Sequence, residues 1–361
     1  MNKRTHNLLA LLDEQKIDAM MIVAPSNRQY LSHFRGSAGV LYISKKRQIL
    51  LTDFRYIEQA TDQCPDYTIV NHQAEGMLPL IKNYMIEEGV QNLGIESESV
   101  TYAQYEEYKE AFGDISIHGT KGLVEGLRKV KDEGEIANIR KAEAIGDIAF
   151  THIVSFIKEN YKKGITENQI ALELEVAMRQ NGAEGTSFSS IVAAGAKSSL
   201  PHAVPGDEQL QEGDFLVMDY GCKYNGYCSD MTRTLIIGEP TPKHLDIYNT
   251  VLFANQEALK AVKPGKTGKE IDAIARKIIT DKGYGEYFGH GLGHSLGLDI
   301  HENPRLSTMD DSVLEEGMVV TVEPGIYIPG FGGVRIEDLV VVTKEGVENL
   351  TFSPKELIII A

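Results

Sequence analysis

The order of apolar and polar positions divides the chain into three stretches. In the first, residues 3–16 place Leu8, Leu9, Leu11 and Leu12 at helical spacing. Short apolar runs at 20–23, 40–43 and 48–52 are bounded by turn residues, which suits buried strands. Runs at 67–70 and 93–95 repeat the pattern, with helical candidates at 74–88 and 101–111. Strands alternating with helices predict an α/β domain. From Asp132, a long amphipathic pattern carries Ile136, Ile139, Ala142, Ile145, Ala149 and Ile153, and predicts helices over 132–159 and 166–181. The change from alternation to two long helices marks a boundary near residues 120–130. We take residues 1–125 and 126–361 as the two domains. Beyond residue 185, β-rich segments at 187–193, 215–220, 231–237, 318–323 and 334–343 are interrupted by helices near 244–262 and 268–282. Blocks of helices and antiparallel strands make this part α+β rather than doubly wound.

The composition narrows the class. With 361 residues, 42% hydrophobic and 24% charged, the chain is globular and can bury a core without a disulfide or structural metal. A metal, if held, would therefore serve function. The 36 basic residues stand against 52 acidic ones, a formal net charge of −16. That sign repels phosphate backbones and anionic membranes and argues against nucleic-acid binding as the main activity. The three cysteines, Cys64, Cys222 and Cys228, form no CxxC pair and read as thiols in a reducing compartment. The apolar run at 8–12 is too short for an export signal, and no stretch approaches the roughly 20 apolar residues of a membrane span. A soluble cytoplasmic protein is expected.

Candidate chemistry lies in the last stretch. Asn225-Gly226 between two strand-like runs is a strong signal for a two-residue hairpin turn. With that turn, Tyr224 faces Tyr227, Asp219 faces Thr232, and Asp230 falls diagonally from Asp219 on the same face. The two carboxylates are then close enough to hold a cation, although a bulge would break the register and either Asp could be an ordinary solvent-face residue. His290, His294 and His301 lie in one glycine-framed segment of a chain with ten histidines. Its Gly291-x-Gly293-x-x-x-Gly297 spacing follows no apolar strand and opens no helix, so a dinucleotide loop is rejected. The glycines instead let the backbone pass close to a metal or substrate. Glu323 ends an apolar run, and Arg335 and Glu337 alternate onto one face of another. Such charges are costly unless ion-paired or metal-bound. Asp219, Asp230, His294, Glu323 and Glu337 together make an oxygen-rich set with one nitrogen, suited to two hard or borderline divalent cations. Carboxylates shared between two such ions also suit a bridging water as nucleophile.

The motif order resembles the pita-bread-fold metallopeptidases, and within them the Xaa-Pro peptidases, aminopeptidase P and prolidase (Xaa-Pro dipeptidase). The carriers are Ser187-Phe188 through Ser199-Leu200-Pro201-His202, Met218-Asp219-Tyr220-Gly221, Cys228-Ser229-Asp230-Met231-Thr232-Arg233-Thr234, residues 290–302, Val322-Glu323-Pro324-Gly325-Ile326-Tyr327 and Gly333-Val334-Arg335-Ile336-Glu337-Asp338. All five ligand positions hold the expected residue types, and Ala203 follows His202 where glycine is common. The resemblance implies a C-terminal pita-bread (creatinase/aminopeptidase) fold behind a smaller N-terminal α/β creatinase-like domain used for oligomerisation and substrate access. It implies two divalent metals, with manganese the family expectation and cobalt, zinc or iron suited to the same ligands. A metal-bridging hydroxide would attack the carbonyl before proline, with Glu323 shuttling its proton. His202 and His301 would hydrogen-bond the substrate and oxyanion, and His290 and Arg335 would line the proline side. A homodimer acting on small proline-containing peptides is expected, with the dipeptidase slightly favoured over aminopeptidase P. Methionine aminopeptidase, a creatinase-type hydrolase and a non-catalytic binding protein on the same fold are the alternatives.

Overall fold

The computed structural model describes residues 2–361, and the chain divides into two compact units, Met1–Arg128 and Lys129–Ala361. In the first unit the elements run α1 (Lys3–Glu14), β1 (Ala19–Ile22), α2 (Pro25–Ser32), β2 (Val40–Ser44), β3 (Gln48–Thr52), α3 (Ile57–Gln63), β4 (Thr68–Asn71), α4 (Met77–Glu88), β5 (Asn92–Glu96), α5 (Tyr102–Phe112), β6 (Ser116–Thr120) and α6 (Leu123–Arg128). Its single sheet has the order β4-β3-β2-β1-β5-β6. The β1-β2-β3 meander is antiparallel, whereas β3-β4, β1-β5 and β5-β6 pair in parallel. The sequence pattern locates five of these strands and misses α2, α3, β6 and α6, which lack a long periodic stripe. Arg28 turns inward here, donating to Gly36 O and Gly39 O.

The second unit opens with two helices, α7 (Glu133–Asn160) and α8 (Glu167–Gln180). Both start in capping boxes, Asp132 with Glu135 and Thr166 with Gln169, which satisfy the first free amides of each helix. The strands β7 (Gly185–Thr186), β8 (Ile191–Ala194), β9 (Phe215–Tyr220), β10 (Cys222–Tyr224), β11 (Tyr227–Cys228) and β12 (Met231–Ile237) follow. After α9 (Pro242–Ala261) and α10 (Gly268–Asp281) come β13 (Gly293–Ser295), β14 (Glu302–Leu306), β15 (Val319–Val322), β16 (Gly325–Ile328), β17 (Gly332–Arg335), β18 (Asp338–Val342), β19 (Val347–Asn349) and β20 (Ile359–Ile360). The larger sheets run β20-β12-β9-β8 and β14-β13-β15-β18-β19. Ile139, Ala142, Ile145, Ala149 and Ile153 of α7 are buried as the spacing predicts. With α8 they cover the β8-β9-β12 sheet, while α9 and α10 build a second core against β15, β17 and β18.

Two expected strands are broken. Of residues 187–193 only Ile191, Val192 and Ala193 are strand, within β8; residues 187–190 bend away after β7, and Phe188, Ser189 and Ser190 line a cavity. Residues 334–343 divide at Ile336-Glu337 into β17 and β18, which belong to different sheets. Among the described residues, no helix is long and apolar enough to cross a membrane.

Candidate metal centre

The carboxylate hairpin keeps its register. Asn225 and Gly226 both adopt positive φ, 49° and 81°, as a type I′ turn requires. Tyr224 pairs with Tyr227 and Asp219 with Thr232, with no net slip between. Gly221 permits this, because a Cβ there would meet Ser229 O at 1.9 Å. The histidine segment contributes β13 rather than a helix, which agrees with rejecting a dinucleotide loop. The close approach made by its glycine is to protein: a Cβ on Gly293 would meet Thr321 O of β15 at 2.0 Å. His294 is thereby drawn over β15, where its amide donates to Thr321 Oγ1 at 3.0 Å.

Asp230, His294 and Glu337 offer ligand atoms that all lie within 4.8 Å of one another. His294 Nε2 sits 3.4 Å from Asp230 Oδ2 and 3.4 Å from Glu323 Oε1. Glu323 Oε1 also accepts from Thr321 Oγ1 at 3.1 Å. Thr232 links two further side chains: its hydroxyl donates to Glu337 Oε2 at 2.7 Å and accepts from Arg335 Nε at 3.1 Å. Arg335 pairs with Asp219 Oδ2 at 2.5 Å. The strand break at Ile336-Glu337 is held by Glu337 N donating to Thr232 O at 3.1 Å and by Arg233 Nη1 donating to Glu337 O.

Burial pushes the Asp230 and Glu337 carboxyls well above the usual carboxylate range, and neighbouring carboxylates push the same way. Burial also raises Asp219, against the pull of Arg335. Asp219 Oδ1 and Glu337 Oε1 are buried and accept no hydrogen bond from the protein. Buried carboxylate oxygens without donors are costly, and a cation removes that cost. The residues present therefore fit a divalent metal.

A cavity of about 540 Å³ opens onto these side chains, a size within the range of small-ligand sites. Asp219, Asp230, His294, Glu323 and Glu337 all line it, as do His202, His290, His301 and Arg335. The His301 ring lies edge-on to His294, with centroids 4.5 Å apart. His290 Nε2 lies 2.8 Å from the Tyr327 hydroxyl, which accepts from Arg335 Nη1 at 2.7 Å. Burial lowers the His290 and His301 pKa values, so both imidazoles are neutral at neutral pH. Arg335 is 3% exposed and committed to Asp219, Thr232 and Tyr327.

Three supporting groups received no role from the sequence. Tyr327 lies in a motif that carries the resemblance, but nothing in the sequence names its partners. Thr232 lies in another such motif and opposite Asp219, but nothing in the sequence marks it as the bridge between Glu337 and Arg335. Glu143 had a clearer signal, a carboxylate on the apolar stripe of α7. It accepts from Thr351 Oγ1 at 2.6 Å and from Asp230 N at 3.3 Å, and burial pushes its carboxyl up to about 8.

The description of metallopeptidase family M24 matches residues 137–344, and that of the creatinase/prolidase N-terminal domain matches residues 4–130. An Xaa-Pro dipeptidase of Pyrococcus horikoshii is 40% identical over 360 residues, covering 99% of each chain. The structure of an Xaa-Pro dipeptidase from Bacillus anthracis superposes with a TM-score of 0.95 at 48% identity, covering 99% of both chains. That of an X-Pro aminopeptidase from Thermotoga maritima gives 0.92 at 39% identity, covering 99% of this chain and 100% of the other. With both units matched and the carboxylate–imidazole cluster lining the cavity, the chain belongs to metallopeptidase family M24.

Proposed function

We propose that this chain is an Xaa-Pro dipeptidase that hydrolyses the peptide bond between an N-terminal residue and proline. The observation that carries the metal chemistry is the convergence of five ligand-type side chains on one cavity, two of whose carboxylate oxygens have no donor from the protein. Full-length likeness to proteins named for Xaa-Pro cleavage supports the substrate class. Two divalent metals, manganese first, are assigned to Asp219, Asp230, His294, Glu323 and Glu337. When bound, they supply Lewis acidity for the scissile carbonyl and lower the pKa of water.

The chain's own residues do the rest. Glu323 Oε1 takes the proton of the attacking water and delivers it to the prolyl nitrogen as the C–N bond breaks. His301 and His202 donate to the carbonyl oxygen as it gains charge. His290, held by Tyr327, and the Arg335 side chain border the pyrrolidine. Proline lacks a backbone N–H, so a site acting on the carbonyl loses no donor there. Three buried free thiols suit a reducing cytoplasm. We further assign residues 1–125 to dimer formation and substrate access, and expect a homodimer on sedimentation.

One assay with added Mn²⁺ tests the substrate reading. Ala-Pro should be cleaved and Ala-Ala left nearly untouched. Preference for Ala-Pro-Ala would favour an aminopeptidase P, the reading supported by the Thermotoga likeness. Faster cleavage of Ala-Ala would overturn the proline assignment. Metal analysis of D230A tests the ligands: retention of both ions and full activity would refute them.

A further inference from the structure

The segment that carries His202 leaves β8 at Ala194 and rejoins the fold at Gly206, and one carboxylate outside the cavity holds both ends. Glu167 is the first residue of α8, with its side chain fully buried. Its Oε1 accepts from the Ala194 amide at 2.7 Å. Its Oε2 accepts from the Gly206 amide at 3.0 Å and from Lys197 Nζ at 2.6 Å. The backbone repeats the docking at the far end, where Glu167 N donates to Glu208 O and Asn168 N to Gly206 O. Between the pinned ends, the 3-10 turn Gly195–Ser199 presents Ser198 Oγ, which accepts from the Gly333 amide at 2.8 Å and ties the loop to β17. Pro201, His202 and Ala203 then line the cavity.

A carboxylate with donors on both oxygens sits in one geometry, and the N-terminal turn of a helix favours its charge. The distance between the two loop ends is therefore set by one rigid group. His202 is itself exposed, so its ring is placed by the backbone of its loop. That backbone is held at both ends by Glu167 and between them by the Ser198–Gly333 contact and by Arg335 Nη2, which donates to Pro201 O at 3.5 Å. We propose that Glu167 is a positioning residue, setting the His202 imidazole over the scissile carbonyl by clamping both ends of its loop. The inference rests on the reading of His202 as a group that touches the reacting oxygen.

A double-mutant cycle on Ala-Pro hydrolysis tests it. E167Q keeps the side-chain shape but turns an amide NH₂ towards an N–H or ammonium donor, releasing one end of the loop. Displacements of this kind cost on the order of 10²-fold, so kcat should fall roughly ten- to hundredfold with metal content unchanged. H202A should lose about 10²–10³-fold. In the H202A background E167Q should cost less than about twofold more, because the group it positions is gone. Losses that multiply would assign Glu167 a merely structural role and overturn the proposal while leaving His202 in place. Wild-type kcat in E167Q would overturn it as well. Wild-type kcat in H202A would sink the reading of His202, and the proposal with it. Should E167Q fail to fold, K197M takes its place in the cycle. It leaves both amide contacts intact, so a loss of about threefold that vanishes in H202A supports the clamp and a multiplicative loss refutes it.

Discussion

Thr232 shows how much one hydroxyl can organise. Fully buried, it donates to Glu337 and accepts from Arg335, so it sets the spacing between a candidate ligand and the guanidinium that neutralises Asp219. Valine has the same shape without the hydroxyl. T232V leaves one carboxylate oxygen and one guanidinium nitrogen buried without that partner, which should cost about 1–3 kcal/mol in denaturant titration. Because it orients Glu337, the variant should also bind Mn²⁺ roughly 10–100-fold more weakly by calorimetry. An unchanged metal affinity would mean that Glu337 is held by its main chain alone. His301 predicts the opposite separation. It lines the cavity beside His294 without being needed for the ligand set, so H301A should lose about 10²–10³ in kcat at full metal content. Metal loss parallel to activity loss would place His301 in a structural role.

Among the elements, the start of α7 bears on the histidine segment through a residue just outside the helix. Lys131 Nζ donates to Ser295 Oγ at 2.9 Å and pairs with Glu302 Oε2 at 3.2 Å, with both side chains almost wholly buried. Glu302 also accepts from the Asp299 amide, so the pair closes the turn that holds His301. Removing one partner of a buried pair leaves a buried charge and typically costs about 3–5 kcal/mol. K131M should show that loss in equilibrium unfolding, and the K131M/E302Q double variant should recover part of it. If the double variant is less stable than K131M, the pair is not the source. The break between β17 and β18 is the other element-scale feature. A continuous strand would stay in one sheet, whereas the break leaves Arg335 at the end of β17 and Glu337 at the junction, both on the Thr232 hydroxyl.

For the whole molecule, the raised carboxyls link metal, pH and stability. Asp219, Asp230 and Glu337 are more easily protonated in the folded chain than in the unfolded one, where they titrate near 3.8 and 4.5. Without a cation, stability is therefore greatest when they are protonated and falls as the pH rises above about 4. A divalent cation offsets that loss by binding the deprotonated forms of the folded chain. The increase in Tm on adding saturating Mn²⁺ should thus be larger at about pH 8 than at about pH 5.5. An increase independent of pH would mean that these carboxyls do not take the metal.

Much of this is legible in the sequence. Asn225-Gly226 demands its hairpin, and the register carries Asp219 to Thr232 because each strand residue advances one pair. The stripe on α7 reports its buried face by its period, and the unbroken apolar runs of β9 and β12 report strands buried on both faces. Periodicity does not report what packs on that face. The Arg335–Asp219 pair, the reach of Glu143 to Asp230, the clamp of Glu167 and the bend at residues 187–190 join segments far apart in the chain. A buried charge is tolerated only beside its partner, and that partner is chosen by the packing of whole elements. The kinds of side chain at the site were therefore written in local motifs, while their pairing and the cavity they enclose were decided by the tertiary fold.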